Sequence, residues 1–176
     1  MKNLKKIILL FIPQLFFTSC LSTYRYNYDN PQNEPLISNK KIAISVSQDG
    51  YYGDDIYNGS GLEVSNAIKE ELNKYSHKTL ILRKKQSLND FSVAELSEYD
   101  YIIIPQILHW EDRATAWSGK PDKIEIYIDI YNSQKQLLKS GSFYGESTKS
   151  TLLSNDPSEL IQKPIKIFFE SVFAAE

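Results

Sequence analysis

The sequence contains one cysteine and two histidines among 176 residues, and this scarcity argues against several kinds of protein. A single cysteine cannot form an intramolecular disulfide, and a structural zinc site needs several Cys or His ligands. The net charge of −2, from 20 basic and 22 acidic residues, lacks the basic excess of nucleic-acid-binding proteins. The length predicts one domain rather than a large multidomain enzyme.

Long hydrophobic runs are also scarce, and the run near the start is too short to span a bilayer. Residues 1–19 contain three lysines and no acidic residue, and the lysines precede the apolar run Ile7–Ile12. This order is typical of a secretory signal peptide. Removing three of the 20 basic residues leaves 17 against 22 acidic ones, so the mature chain would carry a net charge of −5.

The lone cysteine directly follows two small residues. Phe17-Thr18-Ser19-Cys20 resembles the lipobox of bacterial lipoproteins, with Phe17 in place of the more usual Leu. The resemblance implies that Cys20 is acylated, with palmitate among the usual chains. Because residue 21 is not Asp, it also implies sorting to the periplasmic face of the outer membrane. The alternatives are an ordinary signal peptide with an incidental cysteine, or a buried N-terminal helix.

Residues 20–40 are predicted to be a lipidated cysteine and a flexible tether. The segment contains four asparagines and two prolines and no sustained apolar period, so it has little apolar surface to offset ordering entropy. Tyr24, Tyr26 and Tyr28 alternate, however, which fits either a short edge strand or tyrosines lying loosely on the domain.

Residues 41–176 are predicted to form a single periplasmic α/β domain. The order β-α-β-α-β-β-β-α favours a small sandwich with a mixed sheet of about five strands. Ser60 and Glu63, like Ser92 and Glu95, have the spacing of a capping box at a helix start. The predicted elements are strands at 41–46, 79–83 and 101–108, a hairpin at 123–147, and helices starting near Ser60, Ser92 and Asp156.

The segment Ile107–Asp122 is the most unusual, because it contains both tryptophans and one of the two histidines. One interpretation makes it a binding surface together with the turn at 49–61, since Trp and Arg are favoured at interfaces. The candidate residues of that surface are Trp110, Asp112, Arg113, Trp117, Lys120, Asp49 and Tyr51.

Two other interpretations of this segment stay open. In a catalytic one, His109 is a general base oriented by Glu111 or Asp112. In a structural one, the tryptophans cover the sheet and Arg113 bonds to Asp112 or Asp122. His109 and Trp110 are adjacent on a strand and point to opposite faces, so one of them is expected to be buried.

Weaker patterns predict no metal and no cofactor. Asn58–Gly61 opens a helix and could hold an anion, but glycines that shape a tight turn explain it better. Three aspartates at positions 49, 54 and 55 faintly suggest calcium, yet the EF-hand spacing and its terminal Glu are missing. The basic run Arg83–Lys85 is interpreted as a solvated edge, with anionic lipid or glycan as a lesser alternative.

Several of these motifs together resemble one family. The lipobox, Asp49–Tyr52, Asn58–Gly61 and Leu108–Asp122 are similar to small Gram-negative lipoproteins catalogued only as a domain of unknown function. That family has no assigned reaction, so the resemblance implies no catalytic residues, and an enzyme is the less favoured hypothesis.

The expected function is therefore that of an envelope interaction or adaptor module. We expect the bilayer as one partner, through Cys20, an envelope protein as another, and no nucleic acid. The alternative is a periplasmic ligand-binding or hydrolytic module acting on an envelope polymer.

Overall fold

The computed structural model describes residues 22–29, 31, 34–113, 120–147 and 157–173. In the described ranges the strands are β1 (Thr23–Asp29), β2 (Ile42–Ser45), β3 (Tyr51–Tyr52), β4 (Asp55–Ile56), β5 (Thr79–Leu82), β6 (Tyr101–Glu111), β7 (Lys123–Tyr131) and β8 (Leu137–Glu146). The α-helices there are α1 (Ser60–Leu72), α2 (Val93–Leu96) and α3 (Gln162–Phe173).

The strands form one large mixed sheet and one small hairpin. The six-stranded sheet has the order β1-β8-β7-β6-β2-β5, and β3 pairs with β4. β2 runs parallel to β5 and β6, whereas the other neighbours are antiparallel. The predicted α/β class, the mixed sheet and the hairpin at 123–147 are confirmed. The C-terminal helix is present as α3 after a 3-10 turn at Pro157–Leu160, while Asp156, its expected first residue, lies outside the described residues.

The main core lies between one face of the sheet and helices α1 and α3. The alternating isoleucines of β7 (Ile124, Ile126, Ile128 and Ile130) are each 0 % exposed, as expected for the inward side of a strand. They pack with Phe143 of β8 and the phenylalanines of α3. A smaller cluster on the opposite face joins Ile102 and Ile104 of β6 to Leu96 of α2.

The first strand departs from the tether expected over residues 20–40. All of β1 pairs with β8 at the edge of the sheet, from Thr23 opposite Glu146 to Asp29 opposite Ser140. Tyr28 packs on Phe168 of α3 with the ring centroids 5.7 Å apart. Residues 23–29 therefore form the edge strand that was one of the two alternatives. The alternating tyrosines give this strand a partly apolar face, which the polar average composition of residues 20–40 does not indicate.

The start of α1 also differs from the prediction. Its N-cap is Gly59, whose φ of 94° is the left-handed conformation that glycine adopts without strain. The Ser60 hydroxyl does not cap the helix; it accepts a hydrogen bond from Gly50 N–H at 2.8 Å. The predicted Ser60–Glu63 capping box is thus wrong, since a long-range contact uses the serine oxygen.

The second predicted capping box is confirmed. Ser92 Oγ accepts a hydrogen bond from the Glu95 backbone N–H at 3.2 Å, and the Glu95 carboxylate accepts one from Ser92 N–H at 2.8 Å. The bond from Ser92 N–H, and further hydrogen bonds from the Lys85 ammonium and the Ser92 hydroxyl, lower the pKa of Glu95 to about 2, because they stabilise the ionised carboxylate. Within the described residues, no helix has both the length and the apolar character needed to cross a membrane.

Candidate functional site

The candidate site is built where β6 extends past its neighbour. β2 pairs with β6 only from Tyr101 to Ile103, so the later part of β6 has a sheet neighbour only in β7. The β3–β4 hairpin lies against this part of β6, where β2 no longer pairs with it. A close approach at Gly50 makes the contact possible, because a Cβ atom there would lie 2.4 Å from Trp110 Cβ.

A β-bulge sets the direction of the side chains at the end of β6. The register shifts between Ile107 and His109, which leaves Leu108 as the extra residue and 52 % exposed. After the bulge Trp110 points into the core and is 3 % exposed, whereas the His109 side chain is 33 % exposed on the other face. The prediction that one of these two residues is buried is confirmed.

Two side chains contact a buried carboxylate at the outer face of the sheet, and a third side chain contacts both of them. Glu111 is 3 % exposed, and its Oε2 lies 3.2 Å from His109 Nε2. Its Oε1 accepts a hydrogen bond from Arg113 Nε and forms an ion pair with the same guanidinium. Arg113 Nη2 in turn donates to the Tyr52 hydroxyl at 2.7 Å. We call Tyr52, His109, Glu111 and Arg113 the Glu111 cluster.

The charges of the Glu111 cluster are mutually stabilising. Burial alone would raise the pKa of Glu111, but hydrogen bonds from His109 and Arg113 and the Arg113 charge outweigh it, so that pKa is lowered. The Arg113 pKa is raised by the same bond to Glu111. The Tyr52 ring packs edge-on against His109 at 5.7 Å and lies beneath the Arg113 guanidinium at 5.0 Å. The cluster therefore fixes the hairpin to β6.

Backbone contacts fix the two described ends of the segment between β6 and β7. Arg113 N–H donates to Asp122 Oδ1 at 2.7 Å, and Asp122 N–H donates to Ser147 Oγ at 2.8 Å. Asp112 N–H donates to the Tyr57 hydroxyl at 3.3 Å. Asp122 is 0 % exposed. The structural interpretation expected Arg113 to bond to Asp112 or Asp122; the Arg113 backbone bonds to Asp122, while its side chain contacts Glu111.

The turn before α1 is stabilised by the chain itself. Asp49 Oδ1 accepts a hydrogen bond from Gly61 N–H at 2.9 Å, in the first turn of α1. Gly61 packs so closely that an added Cβ would lie 2.2 Å from the Ser47 carbonyl oxygen. A carboxylate of this protein therefore occupies the position that an external anion would take, which agrees with the interpretation of these glycines as turn formers.

The predicted site residues separate into buried and exposed groups. Trp110 is a correction to the predicted binding surface, because it lies in the core beneath Gly50 and supports the surface from below. Tyr51 is 65 % exposed, and Asp112 and Lys120 are also exposed. Trp117 lies outside the described residues.

The sequence did not indicate Tyr52 as a site residue and gave Glu111 only a supporting role. The alternation of His109, Glu111 and Arg113 along one strand face was a usable signal for the cluster. No comparable signal predicted the position of the hairpin, since that position depends on where β2 stops pairing with β6. Among the residues that the structure describes, no group of three or more His, Cys, Asp or Glu side chains could hold a metal ion.

A separate cleft opens at the carboxyl ends of the parallel strands. Its volume is about 540 Å³, and it is lined by residues 47–48, 86–87, Asp90 and 104–108. Two of its polar groups already have partners: Ser47 Oγ accepts a hydrogen bond from Ile107 N–H, and Asp90 accepts from Gln86 and Ser87 N–H. The cleft contains none of the Glu111 cluster.

The fold and site define a small α/β domain with a six-stranded mixed sheet and a side hairpin fixed by a buried ion pair. Residues 34–172 match the family model described as a domain of unknown function, DUF4823, and the chain belongs to that family. This confirms the resemblance to a family of unknown function. A search of the curated proteins finds no match.

Solved structures that match this chain share little sequence identity with it. The PelC dodecamer from Paraburkholderia phytofirmans has a TM-score of 0.58 and 14 % identity, covering 89 % of this chain and 99 % of that chain. A PelC variant dodecamer from the same organism has a TM-score of 0.60 and 12 % identity, covering 87 % and 99 %. A protein from Xanthomonas campestris assigned to DUF330 has a TM-score of 0.46 and 11 % identity, covering 80 % and 87 %.

Proposed function

We propose that this chain is a lipid-anchored periplasmic protein of the outer membrane that acts as an envelope interaction module. The anchor is Cys20, on the strength of the basic and apolar leader and the lipobox-like Phe17–Cys20. Several acyl chains on one cysteine hold a protein at a bilayer firmly, because each buried methylene contributes about 0.8 kcal/mol.

The observation that carries an interaction role is an exposed apolar pair on a rigid support. Tyr51 and Ile56 lie opposite each other in the β3–β4 hairpin and are 65 % and 64 % exposed. The residue between them in the chain, Tyr52, belongs to the Glu111 cluster and accepts a hydrogen bond from Arg113. We call residues 51–56 the hairpin surface. A surface that is already ordered loses little conformational entropy on binding, so its apolar contacts contribute to affinity.

The cluster supports binding better than catalysis. The His109–Glu111 contact required of a general base exists, but the second oxygen of Glu111 is bonded to Arg113. A buried carboxylate shared in this way stabilises the hairpin. The two PelC structures are dodecamers. A second copy of this chain is therefore one of the partners that the photo-crosslinking experiment described below could capture.

A second candidate function is the binding of a small polar ligand. Its support is the 540 Å³ cleft at the carboxyl ends of β2 and β5, where open α/β sheets commonly bind ligands. A small molecule retained by the purified protein in native mass spectrometry, and lost in Gln106→Ala, would favour this function over the interaction module.

Two measurements test the proposed function. Cys20→Ser should move the protein from the detergent phase to the aqueous phase in phase partitioning, and unchanged partitioning would refute the anchor. A photo-crosslinking residue at Ile56 should form an adduct in intact envelopes, whereas one at Gln134, an exposed residue in the turn between β7 and β8, should not. Equal capture at both positions, or none at Ile56, would refute the interaction surface.

A further inference from the structure

We infer that the hairpin surface lies against the bilayer, so that its partner is the lipid headgroup layer. This inference rests on the proposed acylation of Cys20, and it names the partner of the surface proposed above. It depends on two features of the structure: where β1 begins, and which residues lie in register with its first residue.

The chain between the anchor and the sheet is short. Only Leu21 and Ser22 separate Cys20 from Thr23, the first residue of β1. A fully extended chain spans at most about 3.6 Å per residue, so Thr23 lies within about 11 Å of the Cys20 Cα atom. Because β1 is part of the main sheet, this short covalent link keeps the edge of the folded domain within the same distance of the anchor.

The register places the candidate site at the same end of the sheet as the anchor. Thr23 is opposite Glu146 of β8, Glu146 is opposite Lys123 of β7, and Lys123 is opposite Glu111 of β6. These four residues form a row across the sheet that is about 14 Å long, at about 4.8 Å per strand spacing. The Glu111 cluster, with the hairpin bonded to it, therefore lies at the anchor's end of the strands.

The opposite end of the sheet lies far from the anchor. β7 runs from Lys123 in the row to Tyr131, and the turn containing Gln134 follows. Nine residues at about 3.3 Å each place that turn about 30 Å from the row. With Thr23 bound close to the membrane, the strands extend away from it and the turn is the far end.

The exposed side chains of the hairpin suit a headgroup layer. Tyrosine is enriched at membrane interfaces because its ring is apolar and its hydroxyl is polar, and Ile56 opposite it adds apolar area. The charges nearby have both signs, with Asp54 and Asp55 on the hairpin and Lys123 in the row. Apolar contact, rather than net charge, therefore attracts the hairpin surface to the headgroup layer. This binding should not require anionic lipid.

Single-cysteine labelling tests the orientation in the full lipidated chain. The chain has one cysteine, and its thiol is blocked by acylation in the proposed mature protein, so an introduced cysteine is the one free thiol. Ile56→Cys and Tyr51→Cys place a fluorophore on the hairpin. Gln134→Cys is the far-end control. Val93→Cys is an apolar control, 83 % exposed on the helix that leads into the opposite end of β6.

The labelled proteins are reconstituted in phosphatidylcholine vesicles that contain a headgroup spin-labelled lipid. We expect quenching at positions 56 and 51 to be severalfold stronger than at 134 and 93, and to persist in high salt. Equal quenching at all four positions on vesicle-bound protein, or a protein adduct at position 56 without quenching, overturns the inference and leaves the anchor in place. A mature protein without acyl groups on Cys20 by mass spectrometry refutes the proposed function itself.

Discussion

Gly50→Ala is the sharpest test of how the hairpin is attached to the sheet. The added Cβ would lie 2.4 Å from Trp110 Cβ and 3.1 Å from Ile107 Cγ2. A Cβ atom cannot rotate away from a clash, so relief requires the backbone before β3 to move off β6. Overpacking of this kind costs about 1–3 kcal/mol, and the short distance to a rigid atom places the expected loss at about 2–3 kcal/mol.

Thermal unfolding followed by circular dichroism in detergent measures this loss. For a chain of this size, each kcal/mol lowers Tm by about 2–4 °C, so a decrease of about 4–12 °C is expected. Gly53→Ala is the matched control on the other side of β3: no atom lies within 4 Å of the added Cβ, but φ is +60°. Its cost is backbone strain of about 1 kcal/mol. If Gly50→Ala is as stable as wild type, the packing argument is wrong.

Two further predictions concern the cluster and the first strand. Glu111→Gln should cost about 2 kcal/mol at pH 7, because charge-assisted bonds to a buried carboxylate are lost. The folded-state pKa of Glu111 is lowered, so its contribution is present above pH about 4.5 and is lost as the pH falls through that lowered value. The stability gap between wild type and Glu111→Gln should therefore narrow in acid, and a gap independent of pH would contradict the ion-pair assignment. Amides of residues 23–29 that bond to β8 should exchange slowly with deuterium, whereas fast exchange throughout would restore the flexible tether.

Much of the fold was predictable because local patterns and tertiary packing agree. The alternating isoleucines of β7 predicted a strand with one buried face, and each is buried. The Ser92 capping box predicted the start of α2 because both of its hydrogen bonds are local. The Ser60 box failed because its oxygen bonds Gly50, ten residues earlier, which no local pattern reports.

The candidate site was only partly predictable. The segment Ile107–Asp122 was recognised from its composition, and His109 and Trp110 were placed on opposite faces by strand geometry. The central role of Glu111 depends on the burial of a carboxylate beneath Arg113, and on the hairpin that supplies Tyr52. Those contacts arise between segments far apart in the chain, so they follow from the sheet order and not from spacing.

The sequence alone determined the class of the protein: a mixed α/β domain, a predicted leader with a lipobox-like cysteine, and a family without an assigned activity. These properties follow from periodicity, turn chemistry and short motifs, which act over a few residues. Only the tertiary structure decided that Thr23 and Glu111 lie in one row across the sheet and that the hairpin is fixed beside it. Strand register is set by how buried faces pack together, and that packing brings Thr23, the first residue of β1, and the candidate site to the same end of the domain.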